Sequence, residues 1–538
     1  MKKRIPAAVS LVACISIPLL VLLVHLKTSP RFLPLSPDSS VFAYAGKLVT
    51  EGQLPYRDFW DHKPPLIYYM DALAISLVGP TPWAIWWLDV IYLSITGIVY
   101  YFLLKKLLSS IPALVASWLF LLTLMVSNIY LGGNLTETYG LLPQGLLIGS
   151  MFCFFKTKKI AWVLVAGLAI SIASLFKQTI IGLGLGALLS ILILGVLTRQ
   201  YRRMLVQVTA FGTGFFLPWI IVTTIWIANG AFTQFWDAVF AYNLVYVHNS
   251  FSIDSIYKVY KRLLIDFPLL PIVVISVASF CMFLQSTKPW LFRPVRDKQN
   301  IIRLDGDEFT IQKVFLVVFG AIPFEIALIA LGGRDYGHYY LSILPALTFA
   351  CGYAFETTIQ GLRAKTVVQA GNLGFIAILL IAWAVPTYSD VHPQRQHLES
   401  ISRLGDPSLA QDDLISYIEE HTQPGDPIIV WQAMPYTNFA ADRPAPSKYF
   451  YYLPLLVETG GRASRFEDFL QDIRADQPTL IVFRIDDPTN PANDTPPELL
   501  CQSCIPEALH GLTEFRSFVL AHYRVIDEID DWTIYHIN

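Results

Sequence analysis

The sequence predicts a polytopic α-helical membrane protein with about eleven transmembrane helices and a C-terminal extracytoplasmic α/β domain. Three observations carry this. Hydrophobic residues make up 54% of the 538 positions and charged residues 15%, far below the about 25% usual in soluble domains. Apolar runs of roughly 20 residues, the length a spanning helix needs, recur through the first part of the chain. Lys and Arg gather in alternate loops between those runs, as they do on the cytoplasmic side of membrane proteins. The net charge of −2 gives no case for a nucleic-acid partner.

The spanning segments are expected at 6–26, 83–104, 111–131, 138–155, 160–176, 179–198, 204–228, 268–285, 313–331, 339–361 and 366–387. "MKKR" before the first run also suits a signal peptide. The run is long, however, and no small-residue cleavage site follows, so a retained helix is expected. With that N-terminus cytoplasmic, the same side receives Lys105 and Lys106, "KTKK" at 156–159, "RQYRR" at 199–203, the basic 286–313 loop, and Arg363 with Lys365. The C-terminus is then extracytoplasmic, in a cell (inner or plasma) membrane. The external segments are the 27–82 loop, the turns at 134–137 and Lys177, the 229–267 loop, and "GGRDYGH" at 332–338.

Residues 1–388 thus form a transmembrane domain with an external first loop, and 389–538 an external α/β domain. In the latter, "PSLAQDDLISYIEEHT" and "FEDFLQDIRA" have helical spacing, while "PIIVW", "TLIVFR" and "WTIYHI" read as strands. "GLGLG" at 182–186 is apolar on both sides and lacks the strand-turn-helix setting of a dinucleotide site, so it reads as helix packing. Cys14, Cys153, Cys281 and Cys351 lie in apolar runs and are expected in the core. Cys501 and Cys504 form a lone CxxC, which fits a local disulfide better than zinc.

Ionisable residues at the edge of a membrane are costly and default to a functional reading. Asp38 follows Pro37 at the start of a short helix expected along the membrane surface. It is either a helix cap or a catalytic group. Lys63 in "DHKPP" is held at the membrane mouth by a stiff segment, either to snorkel towards headgroups or to bind a phosphate. Glu137 stands in "GGNLTETYG". Lys177 stands near a helix C-terminus, where the helix dipole also favours it. "GGRDYGHYY" supplies Arg334, Asp335, His338, Tyr339 and Tyr340. An arginine fork matches two phosphate oxygens, and an Arg334–Asp335 turn is the plain alternative. All of these map to the outer surface, which suits an anionic lipid-linked molecule meeting a second substrate there.

The stretch "DSSVFAYAGKLVTEGQLPYRDFWDHKPPLIYYMDALAISLVG", with Trp83 after it, resembles the opening signature of the GT-C class of membrane glycosyltransferases. The likeness is strongest to the glycosyltransferase family 39-like branch of protein O-mannosyltransferases and the lipid A aminoarabinose transferase. "NLTE", "LFKQT", "GHYYLSILPAL" and "PIIVWQAMPYTNFAADRPAPSKYFYY" are similar to later family segments in the same order. The resemblance implies a polyprenyl-phosphate sugar donor and transfer with inversion to an acceptor hydroxyl of a protein, lipid or glycan, on the non-cytoplasmic face. It implies Asp38 as the first-loop carboxylate acting on that hydroxyl. Lys63, Lys177, Arg334 and His338 would hold the donor phosphate, and Glu137, Tyr56, Trp60 and Tyr339 would line the sugar or acceptor. Many relatives have Asp-Glu where this chain has Asp38-Ser39. The missing carboxylate and the lack of a dense oxygen cluster lead to the expectation of no obligatory metal. A polyprenyl-lipid transporter or flippase is the alternative. Transporters, however, tend to place charges at the midplane of related halves, and here the charges share one face. A receptor with a sensor tail would not need matched carboxylates and cations in separate loops.

Overall fold

The structure is a computed structural model that describes residues 4–124, 130, 132–265, 269–292, 307–334, 336–363, 407–431, 435–456, 464–493, 495–496 and 506–538. It is a multi-pass bundle of apolar helices joined to a small sheet. Among the described residues, six helices are long and apolar enough to cross a membrane: Ala7–His25, Pro82–Leu107, Thr136–Thr157, Tyr201–Ala228, Leu270–Thr287 and Phe309–Ala330. Shorter apolar helices run over Ser110–Leu124, Ala161–Ser174 and Gly182–Leu197. Each expected span up to 339–361 overlaps a helix, with 125–129 and 131 of the expected span 111–131 outside the described residues; the last is entered through a 3-10 turn at Gly337–Ile343 before Leu344–Arg363. The expected span 366–387 lies outside the described residues, as do Lys365, Asp335, Cys501 and Cys504. The helices Leu270–Phe292 and Asp307–Ala330 extend into the expected 286–313 loop.

Helices pack where small residues let backbones meet. Gly167 and Gly214 face each other across the pair Ala161–Ser174 and Tyr201–Ala228. A Cβ on Gly167 would stand 2.2 Å from the Phe211 carbonyl oxygen, and one on Gly214 2.2 Å from that of Leu164. The glycines of "GLGLG" serve the same purpose, Gly186 lying against the Val317 carbonyl. The cysteine expectation needs correction. Cys351 is buried, but Cys14 and Cys281 are exposed on the bundle surface, where lipid contacts a thiol as readily as a methyl group.

The 27–82 segment is not an open loop. It holds two helices, Pro37–Thr50 and Leu66–Val78. Pro37 sits in the first turn of the former, where its missing N–H costs nothing, and Ser36 occupies the N-cap. The latter has 13 residues, roughly 20 Å at 1.5 Å per residue, too short to cross a bilayer core of about 30 Å. It buries Ile67, Tyr68, Asp71 and Ile75 and ends at Gly79, whose φ of 99° suits a residue without a Cβ. The 229–267 segment is also largely helical, with Phe232–Trp236, Tyr242–Ser250 and Ile253–Ile265.

Residues 407–538 build a four-stranded sheet: β1 Ile428–Val430, β2 Leu480–Arg484, β3 Tyr523–Ile529 and β4 Trp532–Ile537, in the order β1-β2-β4-β3. β1 and β2 are parallel, and the other pairs antiparallel. Side chains alternate across a strand. Ile428, Val430, Leu480, Val482 and Ile534 therefore meet Leu414 and Ile418 of the helix Pro407–His421. Ile429, Ile481, Phe483 and Tyr535 face the opposite way, towards Phe469 and Phe515 of the helices Ser464–Ala475 and Pro506–His522. That second core does not stop at the sheet. It continues without a break into Phe42, Tyr44, Tyr56, Phe59, Trp60 and Tyr68 of the first-loop segment.

Candidate active site

The turn that carries Lys63 is fixed before any side chain of the site is considered. Pro55 and Phe59 form an isolated bridge, and the Tyr56 N–H donates to the Phe59 carbonyl at 2.7 Å. Tyr56 has a φ of 71°, an uncommon conformation for a bulky residue. It is held there by ring contacts with Trp226, Phe235 and Tyr68. Its hydroxyl donates to the Lys63 carbonyl at 2.7 Å, and the Tyr68 hydroxyl reaches the same oxygen at 3.1 Å. Pro64 and Pro65 then lead into the helix Leu66–Val78, whose Leu66 N–H donates to the Leu175 carbonyl at 3.3 Å. That bond ties the Lys63 turn to the turn carrying Lys177.

The sequence-derived charges converge. Asp38 opens the helix Pro37–Thr50, Glu137 opens Thr136–Thr157, Lys177 follows the end of Ala161–Ser174, and His338 precedes Leu344–Arg363. Lys177 donates to the Glu137 carboxylate. The other Glu137 oxygen accepts from the Thr136 hydroxyl at 2.8 Å. His338 Nε2 lies 4.0 Å from Glu137 Oε1 and 3.7 Å from Asp38 Oδ2. The Lys177 ammonium sits 3.5 Å from the Tyr339 ring centroid, a cation–π contact. Asp38 stays half exposed, its side chain 48% accessible, while Glu137 is buried. Since Ser36 holds the N-cap, Asp38 is a first-turn acid that the helix dipole favours and that keeps its carboxylate open to solvent.

Burial pulls the His338 imidazole below the ordinary histidine range. Glu137 and Asp38 oppose that shift, and Lys177 and Lys63 reinforce it. Its Nδ1 is buried without a hydrogen-bond partner. Arg334 is exposed and hydrogen-bonds the Tyr246 phenol, which raises its already high pKa. Lys63 also lies close enough to influence Tyr339. Its Nζ stands 3.1 Å from His62 Nε2, an uncharged partner if the imidazole is neutral. Burial and the Lys63 charge both pull His62 below the histidine range, against the opposing pull of Asp61.

Tyr56 and Trp60 are placed differently from the rest. Both are buried. Tyr56 spends its hydroxyl on the Lys63 carbonyl. The Trp60 ring packs on Tyr242 and Tyr449 beneath the Arg465 guanidinium. What they contribute here is the shape of the loop that presents Lys63.

Several residues escaped the sequence reading. Asp61 is 1% exposed and accepts from the Tyr68 and Tyr451 hydroxyls, each at 2.7 Å. Burial works against its ionisation, but His62, Lys63 and Tyr451 outweigh that and hold the carboxyl well below the usual range. Its signal was its place beside Lys63 in "WDHKPP". Asp89 and Glu325 lie in expected spans and are buried. Asp89 accepts from the Tyr130 hydroxyl at 2.7 Å, and Glu325 from the Leu183 N–H at 3.0 Å. An acid inside a span was the available flag for both. Among the described residues, no three His, Cys, Asp or Glu side chains are grouped to share a metal ion.

Comparison with known proteins bears on the fold and on the stretch that carries part of this group. The dolichyl-phosphate-mannose-protein mannosyltransferase family matches residues 62–227. That stretch contains Lys63, Glu137 and Lys177 but not Asp38, Arg334 or His338. No curated protein matches the chain. Among solved structures, ArnT from Cupriavidus metallidurans bound to undecaprenyl phosphate aligns with a TM-score of 0.53 at 13% identity, covering 98% of this chain and 97% of that one. The apo form of the same protein aligns with a TM-score of 0.53 at 13% identity, covering 96% of each chain. At such identity the shared property is the fold.

Proposed function

We propose that this chain, which has the fold of the GT-C class of membrane glycosyltransferases, transfers a sugar from a polyprenyl-phosphate-linked donor to an acceptor hydroxyl on the non-cytoplasmic face of the membrane. The observation that carries the reading is the continuous line of contacts from Asp38 through His338 and Glu137 to Lys177, assembled from four separate parts of the chain. Each residue sits at a helix terminus, and the helices carrying Glu137 and Lys177 have their basic clusters, Lys156 and Lys158–Lys159, at the far end.

In a single displacement, the acceptor oxygen attacks the anomeric carbon as the bond to the phosphate oxygen breaks, and configuration inverts. The hydroxyl proton passes to Asp38, the solvent-open carboxylate of the group. The electron pair leaves with the polyprenyl phosphate, and fixed cations stabilise the charge that develops there. Lys63 suits this because its ammonium has an imidazole rather than a carboxylate as its hydrogen-bond partner. Lys177, Arg334 and His338 complete the phosphate site. Glu137 holds Lys177 and, with Tyr339, borders the space for sugar or acceptor. Charge stabilisation by these side chains needs no obligatory divalent metal.

The solved relative that carries undecaprenyl phosphate supports a lipid phosphate as the donor's handle. The test is direct. Purified protein receives radiolabelled polyprenyl-phosphate hexoses and pentoses with membrane extract, and label is followed into lipid, glycan and protein. Transfer that depends on Asp38 supports the reading. No transfer from any lipid-linked sugar, with movement of the donor between leaflets instead, would replace it with transport.

A further inference from the structure

The Asp61 carboxylate is 1% exposed, and each of its oxygens accepts from a tyrosine hydroxyl. The Tyr451 hydroxyl donates to Oδ1 at 2.7 Å and the Tyr68 hydroxyl to Oδ2 at 2.7 Å. His62 Nδ1 approaches Oδ1 to 3.1 Å, a close contact that is not aligned as a full hydrogen bond. On the other side of the same ring, Nε2 lies 3.1 Å from the Lys63 ammonium. An ammonium has only donors to offer, so His62 must present a lone pair at Nε2 and keep its proton on Nδ1, the nitrogen that faces Asp61. The Asp61 charge, 3.1 Å from Nδ1, favours that same tautomer and stands behind the ring against which Lys63 rests.

Tyr451 comes from the C-terminal α/β unit, not from the bundle. Its segment is fastened to the first-loop segment at several points. The Trp60 backbone N–H donates to the Lys448 carbonyl at 2.9 Å, and the Ala445 backbone N–H donates to the Tyr44 hydroxyl at 2.8 Å. Lys47 pairs with Asp442, and Phe450 packs on Tyr44 and Phe59. Tyr451 is thus delivered to Asp61 by a docked surface rather than by a chance contact.

We propose that Tyr451 and Asp61 are positioning residues for Lys63, so that the C-terminal unit completes the donor-phosphate site through the line Tyr451, Asp61, His62, Lys63. This rests on the reading of Lys63 as a phosphate-holding group. The two ideas separate in a double-mutant cycle on the full chain in detergent, with undecaprenyl phosphate as the probe and its Kd as the readout. Lys63→Gln weakens binding. Tyr451→Phe, which removes one hydroxyl and keeps the ring, weakens it by about two- to hundred-fold, the range of couplings within one network. The double variant binds no worse than Lys63→Gln alone, because Tyr451 acts only through Lys63. A purely structural role for Tyr451 would instead make the two losses multiply. If Lys63→Gln binds like the wild type, the reading of Lys63 falls and this inference with it. If Lys63→Gln weakens binding but Tyr451→Phe does not, or the losses multiply, this inference alone is overturned. Should Tyr451→Phe fail to fold, Asp61→Asn, which keeps the shape and removes the charge that Tyr451 braces, takes its place in the same cycle.

Discussion

His338 Nε2 stands 3.7 Å from the Asp38 carboxylate, joining the first-loop helix to the turn before the last described helix of the bundle. The contact brings the one open acid of the group next to a buried imidazole that is also 4.0 Å from Glu137. Removing the acid charge therefore tests the chemistry at its centre. Asp38→Asn keeps the shape and is expected to lower transfer by about 10²- to 10⁴-fold, the usual worth of a positioned general base. Its thermal midpoint should stay near that of the wild type. Label transfer and a melting curve in detergent measure the two. Full activity in the variant would end the assignment.

His338 also sets a pH dependence of stability. Its folded pKa lies below the unfolded value of about 6.5. As pH falls through 6.5, the unfolded chain takes up the proton first, so unfolding is favoured until the folded value is reached. The wild type should lose more stability between pH 7.5 and pH 5.5 than His338→Gln does. Denaturation curves at the two pH values give the difference. Equal losses would show that the imidazole titrates normally.

The Lys177–Glu137 pair predicts a pattern of rescue. Glu137→Gln leaves an ammonium beside a neutral amide in a buried setting, a change that costs about 3–5 kcal/mol when one partner of a buried pair is removed. Adding Lys177→Met to it should return much of the stability and none of the activity. Unfolding and transfer assays on the single and double variants distinguish these. If the double variant is as unstable as the single, the pair is not the source of the loss.

Helix crossing gives a prediction unrelated to chemistry. Gly214→Ala places a Cβ against the Leu164 carbonyl and should destabilise the bundle by about 1–3 kcal/mol. Gly212→Ala on the same helix meets nothing within 4 Å and should be neutral or gain up to about 1 kcal/mol. Parallel melts of the two variants check the contrast.

Charge stabilisation by Lys63, Lys177 and Arg334 predicts that activity withstands chelation. Transfer measured after dialysis against EDTA should match the untreated rate. A loss restored by magnesium or manganese would show that a cation belongs in the reaction.

Much of this was legible in the sequence because charge beside lipid is expensive. Glu137, Lys177 and His338 stood out as polar residues at the ends of apolar runs, and Asp38 and Lys63 as charges in the loop beside the first run; the structure gathers them. Asp61 did not stand out. Its partners are hydroxyls, and Tyr451 lies in the last part of the chain. A contact so distant in sequence leaves no local pattern. The helix Leu66–Val78 was read as part of a loop because it is too short to span. β3 was missed because Tyr523–Ile529 is mostly exposed along the sheet edge, so its charges hide the alternation that marks a half-buried strand. Cys14 and Cys281 were misplaced for the opposite reason. A membrane helix is apolar all round, and its sequence does not say which side meets lipid.

The docking of the sheet unit onto the Lys63 turn also bears on how the protein is made. The brace on Asp61 is supplied by a residue synthesised long after the turn it steadies. Until then the carboxylate lacks its bond from Tyr451, and the aromatic surface of Tyr44, Phe59 and Trp60 lacks the cover of Phe450 and Tyr449. The order of synthesis thus delays completion of the site to the final stage of assembly. A fragment ending after the bundle would keep its apolar spans yet leave bare the aromatic face that the sheet unit covers in the full chain.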